Sequence, residues 1–164
     1  MAYAYFRNLS KAQKKIYQAS NKVHALPIDT HPELHLHTTE LSNALKLGNV
    51  IQVEMTSQNL IDALFEQLDV AKVHVHVLER RPHNQYGELH GLYEPIDEDR
   101  LRARIYVWMR TAKQERIVAF KTFLRTLLHE ACHHLDYEYL QLEDSLHTEG
   151  FYKRESSLYR QLVK

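Results

Sequence analysis

The chain has 164 residues, 44% of them apolar and 26% charged, ordinary values for a globular protein and not for a disordered, collagen-like or coiled-coil chain. Lys and Arg together number 21 and Asp and Glu together number 21, so the formal net charge is zero, which argues against a strong global attraction to nucleic acid or an acidic membrane. A single Cys excludes an intramolecular disulfide framework, no apolar run reaches the length of a membrane span, and the opening Met-Ala-Tyr-Ala-Tyr-Phe-Arg lacks the apolar stretch of a signal peptide, so the expected setting is a reducing cytoplasm.

Residues 6–23 read as a basic helix, with Ser10 or Asn8 as its cap and Phe6, Leu9, Ile16 and Tyr17 at roughly helical spacing. Pro27 and Pro32 mark 24–32 as a linker. Helical stretches near 33–47 and 57–68 follow, broken at Gly48-Asn49, with Ser57 or Thr56 as cap of the second. His31 in the linker and His35 and His37 in the first of these form a cluster without a carboxylate in register, and read as a polar surface. Val73-His-Val-His-Val-Leu alternates with period two and reads as a strand. A loop through Arg80-Arg81-Pro82 and Tyr86-Gly87 leads to a second strand, Glu88–Tyr93. After a charged turn, Ala103–Met109 forms a third, rich in β-formers. Together they suggest a short, mostly antiparallel sheet in an α+β protein. The organisation expected is an N-terminal helical segment, 1–70, packed on a core, 71–164.

Residues 116–140 are the most strongly helical. Apolar side chains from Val118 to Leu135 cover most of the circumference, so this helix is expected to be buried. Polar residues within it then need partners or a purpose. They include His129-Glu130-Ala131-Cys132-His133, an H-E-x-x-H sequence. At about 100° per residue, the two His lie about 40° apart around the axis and one turn apart along it. Both rings can therefore hold one ion from one face. Glu130 lies about 100° round from His129, too far to coordinate and well placed for a water beside the ion. Zn²⁺ takes four ligands, and two or three from the protein leave room for a water whose pKa the ion lowers. Glu130 is then the candidate general base.

His134 falls on another face of the helix and is disfavoured as a ligand. The next His is His147, fourteen residues after His133; Asp144, Glu149 and Glu155 are the alternatives. Ser145 or Thr148 is expected to cap a last helix running to about Val163. Between Arg125 and Lys153 there is no Lys or Arg but there are six acidic residues, a local field that favours a cation. Asp136 and Glu138 are candidates to accept the second ring N–H of a ligand His. Tyr137, Tyr152, Arg154 and Tyr159 are candidate oxyanion donors. Cys132 reads as a small buried residue.

His129-Glu-Ala-Cys-His133, a gap of about a dozen residues and then His147-Thr-Glu-Gly-Phe151 resemble the core of the SprT-like (Spartan-type) zinc metallopeptidases. Phe151 matches an aromatic residue four positions after the third His. Thr148 stands where that family usually has Gly, and the C-terminal CxxC zinc ribbon is absent. The resemblance covers about 70–164 and implies a small zincin-like domain. Its short sheet would pack on the H-E-x-x-H helix, with one Zn²⁺ held by His129, His133 and His147 and with Glu130 as general base. It further implies a peptide or protein substrate lying along an edge strand, either Glu88–Tyr93 or Ile105–Met109. The competing expectation is a non-catalytic, zinc-stabilised interaction or regulatory domain, with DNA association weakly supported because acidic residues dilute the Arg80-Arg81 and Arg100–Arg104 clusters. Substrate identity and oligomeric state are not legible.

Overall fold

The computed structural model describes residues 2–80, 83–84, 87–88, 91–99, 101–111 and 116–164. Arg81, Pro82, Tyr86, Leu89, His90 and Arg100 of the expected loop, second strand and basic cluster lie outside them.

The N-terminal helical expectation resolves into a short 3₁₀ turn, Ala4–Asn8, and helix α1, Lys11–Asn21. Ser10 separates them by a reciprocal cap: its Oγ accepts the Gln13 backbone N–H, and Gln13 Oε1 accepts the Ser10 N–H, both at 3.1 Å. Helix α2, Pro32–Leu47, has Pro at its first position and ends on Gly48 in the left-handed region, φ 69°. Helix α3 spans Val50–Gln67 and starts seven residues earlier than expected. Its cap is Asn49, whose side chain accepts from the Ile51 and Gln52 N–H groups, and not Ser57 or Thr56. The β-branched residues Val50, Ile51, Val53 and Thr56 weaken the local helix signal. Capping and burial override it, and Ser57 lies fully buried inside the helix.

Strand β1, Val73–Arg80, buries Val73, Val75 and Val77 and turns His74 and His76 outward, as the alternation predicts. Short strands β2, His83–Asn84, and β3, Gly87–Glu88, pair with each other; β4 is Leu92–Glu94 and β5 is Ala103–Arg110. The main sheet has the order β1-β5-β4. It is mixed rather than mostly antiparallel: β4 pairs antiparallel with β5, but the long β1–β5 pairing is parallel. The segment between β1 and β5 is long enough for the crossover that parallel pairing requires, and alternation within a strand carries no information about the direction of its neighbour. A consequence is that Ile105–Met109 is the central strand and offers no edge.

The two edges differ. Along β1, Gln58 Oε1 of α3 accepts the Val75 N–H at 2.8 Å, Gln58 donates to the Val73 carbonyl, and Glu54 accepts the Val77 N–H at 2.9 Å. That edge is sealed by side chains. At the other end of the sheet, β4 walls the cleft that holds the candidate site. Helix α4, Phe120–Glu138, packs on β4 and β5, and helix α5, Glu149–Leu162, packs on α4 and α1. One apolar cluster runs from Leu26 through Phe65, Val75, Ile105 and Leu128 to Leu162.

Candidate metal centre

The buried face of α4 is built from Phe123, Leu124, Leu127, Leu128, Ala131 and Leu135. This packing fixes the helix's rotation and points His129 and His133 into a cleft of about 720 Å³ walled by Leu92 and Tyr93 of β4. His147 reaches the same point from the residue before the cap of α5. Ring nitrogens of His129, His133 and His147 all lie within 4.8 Å of one another, the one such group among the described residues. The Nε2 atoms of His133 and His147 are 3.1 Å apart, close to the spacing of two imidazole ligands that share a zinc at about 2.0–2.1 Å each.

The far nitrogens decide whether the near ones are free. Glu155 Oε1 sits 2.7 Å from His129 Nδ1. A carboxylate accepts, so Nδ1 carries the proton and Nε2 keeps its lone pair. Ser145 Oγ lies 2.7 Å from His133 Nδ1 and 2.7 Å from Asp136 Oδ2. Its single proton goes to the carboxylate, so it accepts from His133 Nδ1–H, and His133 Nε2 is likewise open. Burial, reinforced by the neighbouring His129 and His147, pushes the His133 imidazole down to about 3, which keeps it neutral and ready to ligate. Phe151, fully buried, packs against all three rings with centroids 4.8–5.2 Å away.

The support continues inward to the N-terminal helix. Arg154 is buried and donates through Nη2 to Asp136 Oδ1 at 3.0 Å and to Ser20 Oγ at 2.9 Å. Through Nη1 it donates to the Ser20 and Val23 carbonyls, each at 2.6 Å. A continuous path therefore joins the end of α1 to His133 through Arg154, Asp136 and Ser145. Thr148, the residue that departs from the resembled pattern, caps α5 by accepting the Phe151 N–H and lies 2.9 Å from Ser20 Oγ. Tyr5 O–H donates to the His147 carbonyl at 2.5 Å.

Glu130 is almost fully buried beside the cluster, and burial pushes its carboxyl up to about 7. The backbone of Gly91 closes over it. His134 is outside the group: buried, it donates from Nε2 to the Ala71 carbonyl and accepts from the Tyr93 O–H at Nδ1, both at 2.7 Å. Cys132 is fully buried and its thiol is pushed up by burial, leaving it chemically inert.

Other expectations shift. Glu155 and Asp144 are not in the ligand group; Glu155 orients His129 and Asp144 accepts the Ser145 N–H. Glu149 pairs with Lys153. Asp136 acts one step removed, through Ser145. Arg154 cannot serve as an oxyanion donor because its guanidinium is spent in the buried pair, while Tyr137 and Tyr152 do line the cleft. Glu155 could have been found from its i,i+4 spacing after Phe151, which puts both on one face of α5. No local signal marks Ser145 or Ser20.

No protein-family model, curated protein or solved structure matches the chain. The assignment rests on the site itself. A helix-borne H-E-x-x-H whose two imidazoles meet a third His from the next helix's threshold defines a zincin-like metal site in an α+β fold. The group of His129, Glu130, His133 and His147 has the geometry of a zinc-protease active site, consistent with metal-activated hydrolysis. Among the described residues no helix is long and apolar enough to cross a membrane.

Proposed function

We propose that the protein is a zinc-dependent metallopeptidase in which His129, His133 and His147 hold the ion and Glu130 is the general base. The observation that carries the reading is the convergence of three ring nitrogens within 4.8 Å beside a buried carboxyl. Zinc held there supplies a Lewis acid and makes water nucleophilic near neutral pH. Glu130 takes the proton of the attacking water and returns it to the leaving amine; a carboxyl near 7 suits a group that must both accept and release a proton. Strand β4, terminal in the sheet among the described strands and lining the same cleft, is the strand against which an extended peptide backbone would lie. Peptides or proteins are therefore the proposed substrates, and the lone buried Cys132 suits a cytoplasmic setting.

The test has two parts. Metal analysis of purified protein should find about one zinc per chain, by the three-ligand logic. Glu130→Gln should keep that zinc and lose hydrolysis of a peptide pool by about a hundredfold or more. A chain that takes up no zinc, or a fully active Glu130→Gln protein, overturns the reading.

A further inference from the structure

One charged residue of the cleft, Arg125, has no part in metal binding or proton transfer. Arg125 lies four residues before His129 on α4, so it shares that face of the helix one turn away. It is the only Lys or Arg among the described residues that line the cleft. Its guanidinium lies over the Tyr159 ring, 4.3 Å from the centroid, a stack that holds the side chain in place.

Its acceptors are inadequate. The Nε is buried and has no hydrogen-bond partner among the described residues. The neighbouring carboxylate, Glu155, is 3.9 Å from Nη1, well beyond the roughly 2.7–2.9 Å of a charge-assisted hydrogen bond. Glu155 is moreover already engaged by His129 at 2.7 Å. The Arg125 side chain remains 37% exposed, a planar fork of N–H donors suited to a carboxylate. One helical turn is about 5.4 Å, between one and two residues of an extended peptide.

We propose that Arg125 is the specificity group of this cleft, receiving a substrate carboxylate within about two residues of the bond to be cleaved. The carboxylate is that of an acidic side chain or of the substrate's own C-terminus. The proposal rests on the peptidase reading of the same site and names its substrate class.

Binding is read separately from turnover in the full-length, zinc-loaded Glu130→Gln protein. Fluorescent peptides are compared in two pairs: Glu against Gln at each position along the peptide, and C-terminal acid against C-terminal amide. The carboxylate member of at least one pair should bind roughly tenfold tighter, the scale of a hydrogen bond to a charged group. A preference in the first pair assigns the side chain, and one in the second assigns the terminus. Arg125→Gln should erase the preference and Arg125→Lys should keep part of it, with zinc content measured on each to show an intact centre. Equal binding in both pairs overturns the proposal, as does a preference that survives Arg125→Gln. Hydrolysis by the wild-type chain is scored independently. Cleavage without carboxylate preference removes only the role of Arg125, and carboxylate preference without cleavage removes only the peptidase reading.

Discussion

The backbone of Gly91 lies against the Glu130 side chain. A Cβ there would fall 2.8 Å from Glu130 Oε1, closer than real Cβ atoms approach, and 3.0 Å from Glu130 Cγ and from Thr126 Cγ2, both tight contacts. Gly91 is thus required by proximity and not by an unusual backbone angle. The atom met first is the end of the Glu130 side chain, so the carboxyl turns away from an added Cβ and off the position it holds beside the cluster. Gly91→Ala should therefore displace the carboxyl by the better part of an ångström and lower kcat by about a hundredfold, the cost of a small misplacement at a reacting group. Zinc content should be unchanged, since none of the three imidazoles touches that Cβ. Steady-state kinetics beside metal analysis checks this. Loss of zinc together with activity would mean that Gly91 supports the whole centre and not Glu130 alone.

Three helices, α1, α4 and α5, meet behind the ligands, and the path from Arg154 through Asp136 and Ser145 to His133 is where they interlock. Ser145→Ala removes the acceptor of His133 Nδ1–H and frees the ring to turn. It should weaken zinc affinity by about 10–100-fold in a chelator competition, as loss of a ligand's orienting partner does elsewhere. Affinity equal to that of the parent would show that Phe151 packing alone orients the ring. Gly150→Ala acts on the same junction from outside: its Cβ would meet the Ser20 carbonyl at 2.6 Å and Asn21 Cα at 2.8 Å. Backbone on backbone cannot give way, so α1 must shift from α5, and both thermal stability and zinc affinity should fall. This junction also marks the boundary of what the sequence reveals. His129 and His133 are legible because a helix converts a spacing of four into one face. His147 is legible as the next ring after a turn. The buried helix and the alternating β1 follow from periodicity. Ser20 and Arg154, 134 residues apart, meet only through tertiary packing, which leaves no periodic trace. The parallel β1–β5 pairing depends on the route of the chain between them. The early start of α3 is hidden because its first turns are β-branched.

At the scale of the whole molecule, an ion held by this cluster would stabilise the fold as well as supply chemistry. Two of its ligands come from α4 and the third from the residue before the cap of α5, and their supporting bonds reach α1, so the site exists only when α1, α4 and α5 are assembled. An ion that binds the folded chain and not the unfolded one adds RT ln(1 + [L]/Kd), about 2.7 kcal/mol at a hundred times Kd. For a chain of this length each kcal/mol moves Tm by about 2–4 °C, so zinc at that excess should raise Tm by about 5–10 °C, and chelation should return it. His147→Ala should keep the fold but lose most of the zinc-dependent rise, because the exposed ring contributes more to the ion than to the core. Arg154→Ala should behave differently. It leaves the buried Asp136 carboxyl without its guanidinium and removes the Arg154 donor from the Ser20 and Val23 carbonyls, of which Ser20 keeps the Val23 N–H, a loss on the order of 3–5 kcal/mol whether or not zinc is present. Thermal melts of the three proteins with zinc and with chelator separate the two effects. If zinc leaves the Tm of the parent chain unmoved, the cluster is not a metal centre, whatever the geometry of its rings.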